Sequence, residues 1–131
     1  MQYITKYLNT RIPFKKYGFT MDGLDCIGMV HLVAKDNNIK IPIINFQYFN
    51  NKELSSIFID QMESDHWVET KRGKNVCVTF KICGRVCHIG WMIDNDKFIH
   101  ILEDSEVSIE SLKSPTWNKR VYKFLMYKEN I

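Results

Sequence analysis

"VCHIGWMIDNDKFIHIL", Val86 to Leu102, decides how this chain folds. Apolar residues recur at every second position, the period of a half-buried strand. "DND", Asp94 to Asp96, interrupts the pattern and reads as a turn between two antiparallel strands. With three residues in that loop, Ile93 faces Lys97, Trp91 faces Ile99 and Gly90 faces His100. The odd face then carries Cys87, Ile89, Trp91, Ile93, Ile99 and Ile101, an apolar set that belongs to a core. The even face carries Val86, His88, Gly90, Met92, Phe98, His100 and Leu102. His88 and His100 become diagonal neighbours, with Cα atoms about 7–8 Å apart, and Gly90 leaves room beside them. A two-residue loop would put the histidines on opposite faces, because one step of register flips every side chain.

The same period continues on both sides. "NVCVTFKICGRV", Asn75 to Val86, is the preceding strand, with Gly84 at the turn. "EVSIESL", Glu106 to Leu112, extends the meander. "SLKSPTWNK" reads as a loop or short helical turn, and "RVYKFLMYK", Arg120 to Lys128, as a last strand. Before residue 75 the spacing is helical. Residues 2–9 make a short helix. Lys52 to Glu63 make another, burying Leu54, Ile57, Phe58 and Met62. "RIPFKKYGFTMDG", Arg11 to Gly23, is a loop punctuated by Pro13, Gly18 and Gly23. In "GLDCIGMVHLVAKDNN" the apolar residues Ile27, Val30, Val33 and Ala34 mark a helix. Asp25 is its N-cap and Asn37–Asn38 its stop. Gly28 weakens that helix intrinsically, so it points to close packing against a neighbour. Helices followed by an antiparallel meander predict one α+β domain over residues 1–131, with helices packed on the sheet.

Composition narrows the function classes. The 131 residues are 45% hydrophobic and 25% charged, with net charge +3. No clustered basic stripe marks a nucleic-acid partner. No run of about 20 apolar residues predicts a membrane span. "MQYITKYLNTRIPF" lacks the apolar core of a secretory leader, so a protein that stays inside the cell or leaves by another route is expected. Cys77, Cys83 and Cys87 lack the paired spacing of a zinc site and read as small strand residues. His31 and His66 have no partner in the pattern and read as surface residues, and Trp91 reads as core.

Cys26, in the first turn of its helix, admits two readings. It is a small buried hydrophobe, or it is a nucleophile. A thiolate is the reactive form, and a helix N-terminus or a neighbouring imidazolium favours it. If the histidine face meets that helix end, Cys26 and His88 pair, His100 fixes the tautomer of His88, and a backbone N–H at the helix start serves an oxyanion.

These residues carry a resemblance. "GLDCIGMVHLV" resembles the nucleophile motif of the NlpC/P60 family of cell-wall peptidases, and "HIGWMIDNDKFIH" resembles its histidine motif, down to the interval between the two histidines. "RIPFKKYG" and "SLKSPTWNKRVYKF" resemble the flanking segments. The resemblance implies a papain-like α+β fold and a Cys26–His88–His100 triad. It implies peptide stems of peptidoglycan as substrate, often cut after a γ-linked D-glutamate, and no metal or organic cofactor. Three positions depart from the family pattern. Ile27 follows the nucleophile where Ser or Trp is usual. Phe14 stands where an aromatic hydroxyl usually lies near the oxyanion site, with Tyr17 the nearest replacement. Lys74–Asn75 replace a Gly-Asp turn. Asp25 reads as a cap, and Asp22, Glu103 and Asp104 as residues near the cleft.

The short, bare chain is similar to phage tail-associated members of the family. That similarity implies tail proteins as partners and a virion-associated location, or the host cytoplasm before assembly. Residues 43–75 read as an insertion used for docking. Two other functions share the same residues: a structural tail protein with little activity, and a thiol amidase or acyltransferase acting on another substrate.

Overall fold

The protein is described here by a computed structural model that covers residues 2–15, 18–41 and 66–128. Helix α1 (Gln2–Asn9) is amphipathic and buries Ile4 and Tyr7. The Tyr7 hydroxyl donates to Asp36 at 2.7 Å, and Lys6 pairs with the same carboxylate at 3.2 Å. Helix α2 (Cys26–Asp36) is the one read from "DCIGMVHLVAKD". Asp25 precedes it in extended backbone and accepts from the Gly28 N–H at 2.7 Å, the N-cap expected of it. Asn37 closes the helix, and Asn38 follows at φ 59°, a left-handed position that Asn tolerates.

Between the helices the sequence reads as loop, but the structure forms a small hairpin, β1 (Phe19–Thr20) and β2 (Gly23–Leu24). Gly28 explains its position. A Cβ there would lie 1.8 Å from the Gly18 carbonyl oxygen, so glycine lets the hairpin backbone rest directly on α2.

The sheet has six antiparallel strands: β3 (Trp67–Glu69), β4 (Cys77–Ile82), β5 (Arg85–Met92), β6 (Lys97–His100), β7 (Ser108–Ser111) and β8 (Val121–Tyr127). Their order is β3-β8-β4-β5-β6-β7. The β5–β6 register is the one expected from a three-residue turn: Trp91 faces Ile99 and Met92 faces Phe98. The Asp94 carboxylate holds that turn by accepting from the N–H groups of Asp96 and Lys97, both at 2.7 Å.

One shift of register alters the expected faces. Lys81 faces Val86 but Phe80 faces His88, so Cys87 is the extra residue of a β-bulge. The bulge turns Val86 into the main core, against its expected place on the histidine face. Cys83 also departs from expectation. It lies in the exposed β4–β5 turn at φ 53°, not in a strand.

Each face of the sheet has its own core. On the odd face Ile89, Trp91, Ile93, Ile99 and Ile101 pack with Ile27, Val30 and Val33 of α2. On the even face Val78, Phe80, Met92 and Phe98 pack with Leu112 and Trp117, the latter from the short helix α3 (Pro115–Asn118). The histidine face is therefore a second interior rather than a wetted surface. The helix expected at Lys52 to Glu63 lies outside the described residues. Of the segment expected as an insertion, residues 67–69 form β3 at one edge of the sheet. Among the described residues, no helix is long and apolar enough to cross a membrane.

Candidate active site

The register places His88 and His100 together. His88 Nε2 lies 2.8 Å from His100 Nδ1, so one hydrogen bond joins the rings. Both residues are almost fully buried, at 4% and 1% exposure. Their walls are aromatic. The Phe80 ring lies 5.6 Å from His88, and the Phe98 ring 4.8 Å from His100. Trp117 stands edge-on to His100 at 4.9 Å. Gly90 permits this crowding. A Cβ on it would meet the Phe98 ring at 3.1 Å and the His100 Cβ at 3.4 Å. The space that glycine opens is filled by these two side chains.

Burial in that apolar box penalises the charged imidazolium. It pushes His100 down to about 4, and it pushes His88 well below its ordinary value, with His100 adding to the effect. Both rings are neutral at neutral pH.

Cys26 is the first residue of α2, half-buried against the main core. Burial is the larger cause that pushes its thiol up to about 12, and the Asp25 carboxylate adds to it. The backbone N–H groups of Ile89 and Ile27 face the sulfur and pull the other way. The Ile89 contact locates the sulfur within the sheet. Along β5 the N–H groups alternate in direction: Met92 donates to Val76 on one side and Ile93 to Lys97 on the other. Ile89 shares the direction of Ile93, toward β6. The paired register of β5 and β6 stops short of Ile89. The sulfur thus lies near Ile89, the residue that follows His88 in β5, on the side of the strand that faces β6. Among the described residues, no hydrogen bond joins it to either imidazole.

The other residues expected near the site fall as follows. Phe14 is half-buried against the main core; its N–H donates to Ser105, and it bridges to Leu24 beside the nucleophile. That pairing brings the turn carrying the exposed Glu103 and Asp104 next to the loop ahead of Cys26. Tyr17 lies outside the described residues. Asp25 is a buried cap, and Asp22 is exposed on the hairpin turn. Trp91 is fully buried core. His31 is not a free surface residue, because its Nδ1 lies 2.6 Å from the Ile41 carbonyl oxygen. His66 is exposed and sits 6.2 Å from the Tyr127 ring. Among the described residues, no group of three or more His, Cys, Asp or Glu is placed to hold a metal ion.

Two residues at the site escaped the sequence reading, Trp117 and Glu110. Trp117 lay in a segment read as a loop or short helical turn, and the turn is helical. Glu110 faces Phe98 across β6–β7, so continuing the two-residue period into β7 puts it on the histidine face. The Trp117 indole donates to the Glu110 carboxylate at 2.9 Å. Chemically, the site offers a thiol at a helix start, backbone N–H groups aimed at it, and a hydrogen-bonded imidazole pair set one residue along the strand.

Comparison with known proteins adds the following. The NlpC/P60 family profile matches residues 11–126. An NlpC/P60 family protein from Bacillus cereus superposes with a TM-score of 0.59 at 21% identity, covering 86% of this chain and 34% of that one. A lipoprotein-like NLP/P60 protein from Staphylococcus aureus gives 0.63 at 16% identity, covering 97% of this chain and 39% of that one. The NlpC/p60 domain of the peptidoglycan hydrolase SagA gives 0.54 at 13% identity, covering 94% of this chain and 93% of that one. The chain thus spans little more than a third of the first two structures. Among curated proteins, none matches it.

Proposed function

The chain belongs to the NlpC/P60 family, and from that premise we propose that it is a cysteine hydrolase that cuts peptide stems of peptidoglycan. The observation that carries the reading is the buried His88–His100 hydrogen bond, set one strand residue from the thiol at the start of α2. An imidazole pair in an apolar box needs a reason to be there, since each ring costs stability when acid is present. Orienting a general base is such a reason.

Cys26 rests as a neutral thiol and His88 as a neutral imidazole. Substrate binding brings the scissile carbonyl to the sulfur. His88 Nδ1 takes the thiol proton as the carbon–sulfur bond forms. Backbone N–H groups at the start of α2 receive the charge that develops on the carbonyl oxygen. His88 then gives its proton to the leaving amine, and water attacks the thioester to restore the thiol and release the acid. His100 Nδ1 accepts from His88 Nε2–H throughout, which keeps the Nδ1 lone pair of His88 free for the thiol proton.

The name of the SagA structure supports the substrate class, since that protein is a peptidoglycan hydrolase. The test is digestion of purified sacculi by the full chain, with Cys26→Ala as control and products read by mass spectrometry. Release of peptides ending in D-glutamate by the wild type alone is expected. Equal products from both proteins would overturn the proposal. Consumption of another acyl donor, with sacculi left intact, would turn it toward the amidase or acyltransferase reading.

The proposal extends to a tail-associated protein carried on a phage particle, which rests on the sequence resemblance to tail-associated members of the family alone. Mass spectrometry of purified particles tests that part. The chain's presence there at fixed stoichiometry is expected, and its absence removes the tail role while leaving the hydrolase standing.

A further inference from the structure

His100 holds an unpaired atom where one is costly. Its Nε2 is buried, has no hydrogen-bond partner, and belongs to a residue with 1% exposure. A polar nitrogen in that state needs an acceptor or a donor close by. A charged group stands close by, the Glu110 carboxylate, with Oε2 3.9 Å away. That oxygen is the one that accepts from the Trp117 indole at 2.9 Å, so the indole tethers the carboxylate beside His100.

The two imidazoles share one proton position between His88 Nε2 and His100 Nδ1. If His88 donates, His100 carries its own proton on Nε2, pointing at Glu110. If His100 donates, its Nε2 bears a lone pair that faces a carboxylate, and His88 carries its one N–H proton on Nδ1. The first arrangement is attractive at both ends and leaves His88 Nδ1 basic. The second is repulsive at Glu110 and blocks the base.

We propose that Glu110 is a positioning residue whose carboxylate, aimed by Trp117, selects the Nε2–H tautomer of His100 and so keeps His88 Nδ1 available as the base. This rests on the hydrolase reading for its catalytic consequence, but the tautomer itself does not. Closing from 3.9 Å to hydrogen-bond distance takes a shift of about 1 Å, and the Glu110 side chain, 43% exposed, is free enough to make it. No proton passes through Glu110. The thiol proton moves to His88 and on to the leaving group.

The test is two measurements on the full chain. Imidazole nitrogen chemical shifts of 15N-histidine-labelled protein report which nitrogen of His100 is protonated, with no substrate needed. Wild type should show His100 protonated on Nε2 and bare on Nδ1. Glu110→Gln keeps an oxygen for the indole but removes the negative charge that favours a proton on His100 Nε2, so the population should move toward Nδ1–H. On a stem peptide, the same variant should lose about tenfold in kcat with KM unchanged, the worth of one charge-assisted hydrogen bond. Wild-type protein protonated on Nδ1 would overturn the proposal, as would a variant with unaltered shifts or unaltered kcat. Wild-type protein that cuts no stem peptide would overturn the hydrolase reading instead, and the shifts would still decide the tautomer.

Discussion

Cys26 and His100 illustrate what burial does to a reactive group. The thiol is pushed up to about 12 by burial and by Asp25, so thiolate is scarce at neutral pH. Alkylation by iodoacetamide at pH 7.5, read by peptide mass spectrometry, should therefore modify the exposed Cys83 faster than Cys26. A Cys26 that reacts first would mean a resting thiolate–imidazolium pair, contrary to the neutral site described above. His100 carries the opposite pH signature. Its folded value, near 4, lies below the ordinary 6.5. The unfolded chain therefore takes up a proton that the folded chain refuses. Stability should fall as pH drops through 6.5 and level off near 4, by about 3 kcal/mol from His100 alone. Urea titrations across that range should show a shallower fall in His100→Gln than in wild type. Parallel falls would contradict the assignment.

Helix α2 and the β5–β6 hairpin are the elements that build the site, and each rests on a few local features. Asp25→Ala removes the cap, which should cost about 1 kcal/mol in denaturant unfolding. It also removes a negative charge beside the sulfur, so alkylation of Cys26 should quicken even as the fold weakens. Gly28→Ala should cost more, about 1–3 kcal/mol, because its methyl group would collide with the Gly18 backbone oxygen rather than with a yielding side chain. These elements were legible in the sequence because their signals are local. Asp25, the apolar spacing after it and Asn37–Asn38 bound α2 in a single reading, and alternation around "DND", given a three-residue loop, put both histidines on one face. What escaped needed information from elsewhere in the chain. The Cys87 bulge is set by how β4 meets both β5 and β8, which no period reveals. The β1–β2 hairpin forms because Gly28 gives it a surface. Trp117 sits in four helical residues, too short for any periodicity, and it gave no sign that it would cover His88 and His100.

In the whole molecule the sheet separates two interiors, one holding the nucleophile helix and the other holding the histidines. They meet nearest the active residues at β5, where the Ile89 N–H faces the sulfur and the preceding residue is His88. Catalysis depends on Cys26 and His88 meeting across that strand. The proposed reaction must therefore pass through an acyl group on that one sulfur of the four cysteines. The most direct test is acid quench of the full chain during turnover of a γ-D-glutamyl stem peptide, followed by intact mass and fragmentation. An acyl adduct on Cys26 that accumulates with product and is absent from Cys26→Ala is expected. Turnover that persists in Cys26→Ala, or an adduct on Cys83 or Cys87 in its place, would contradict it.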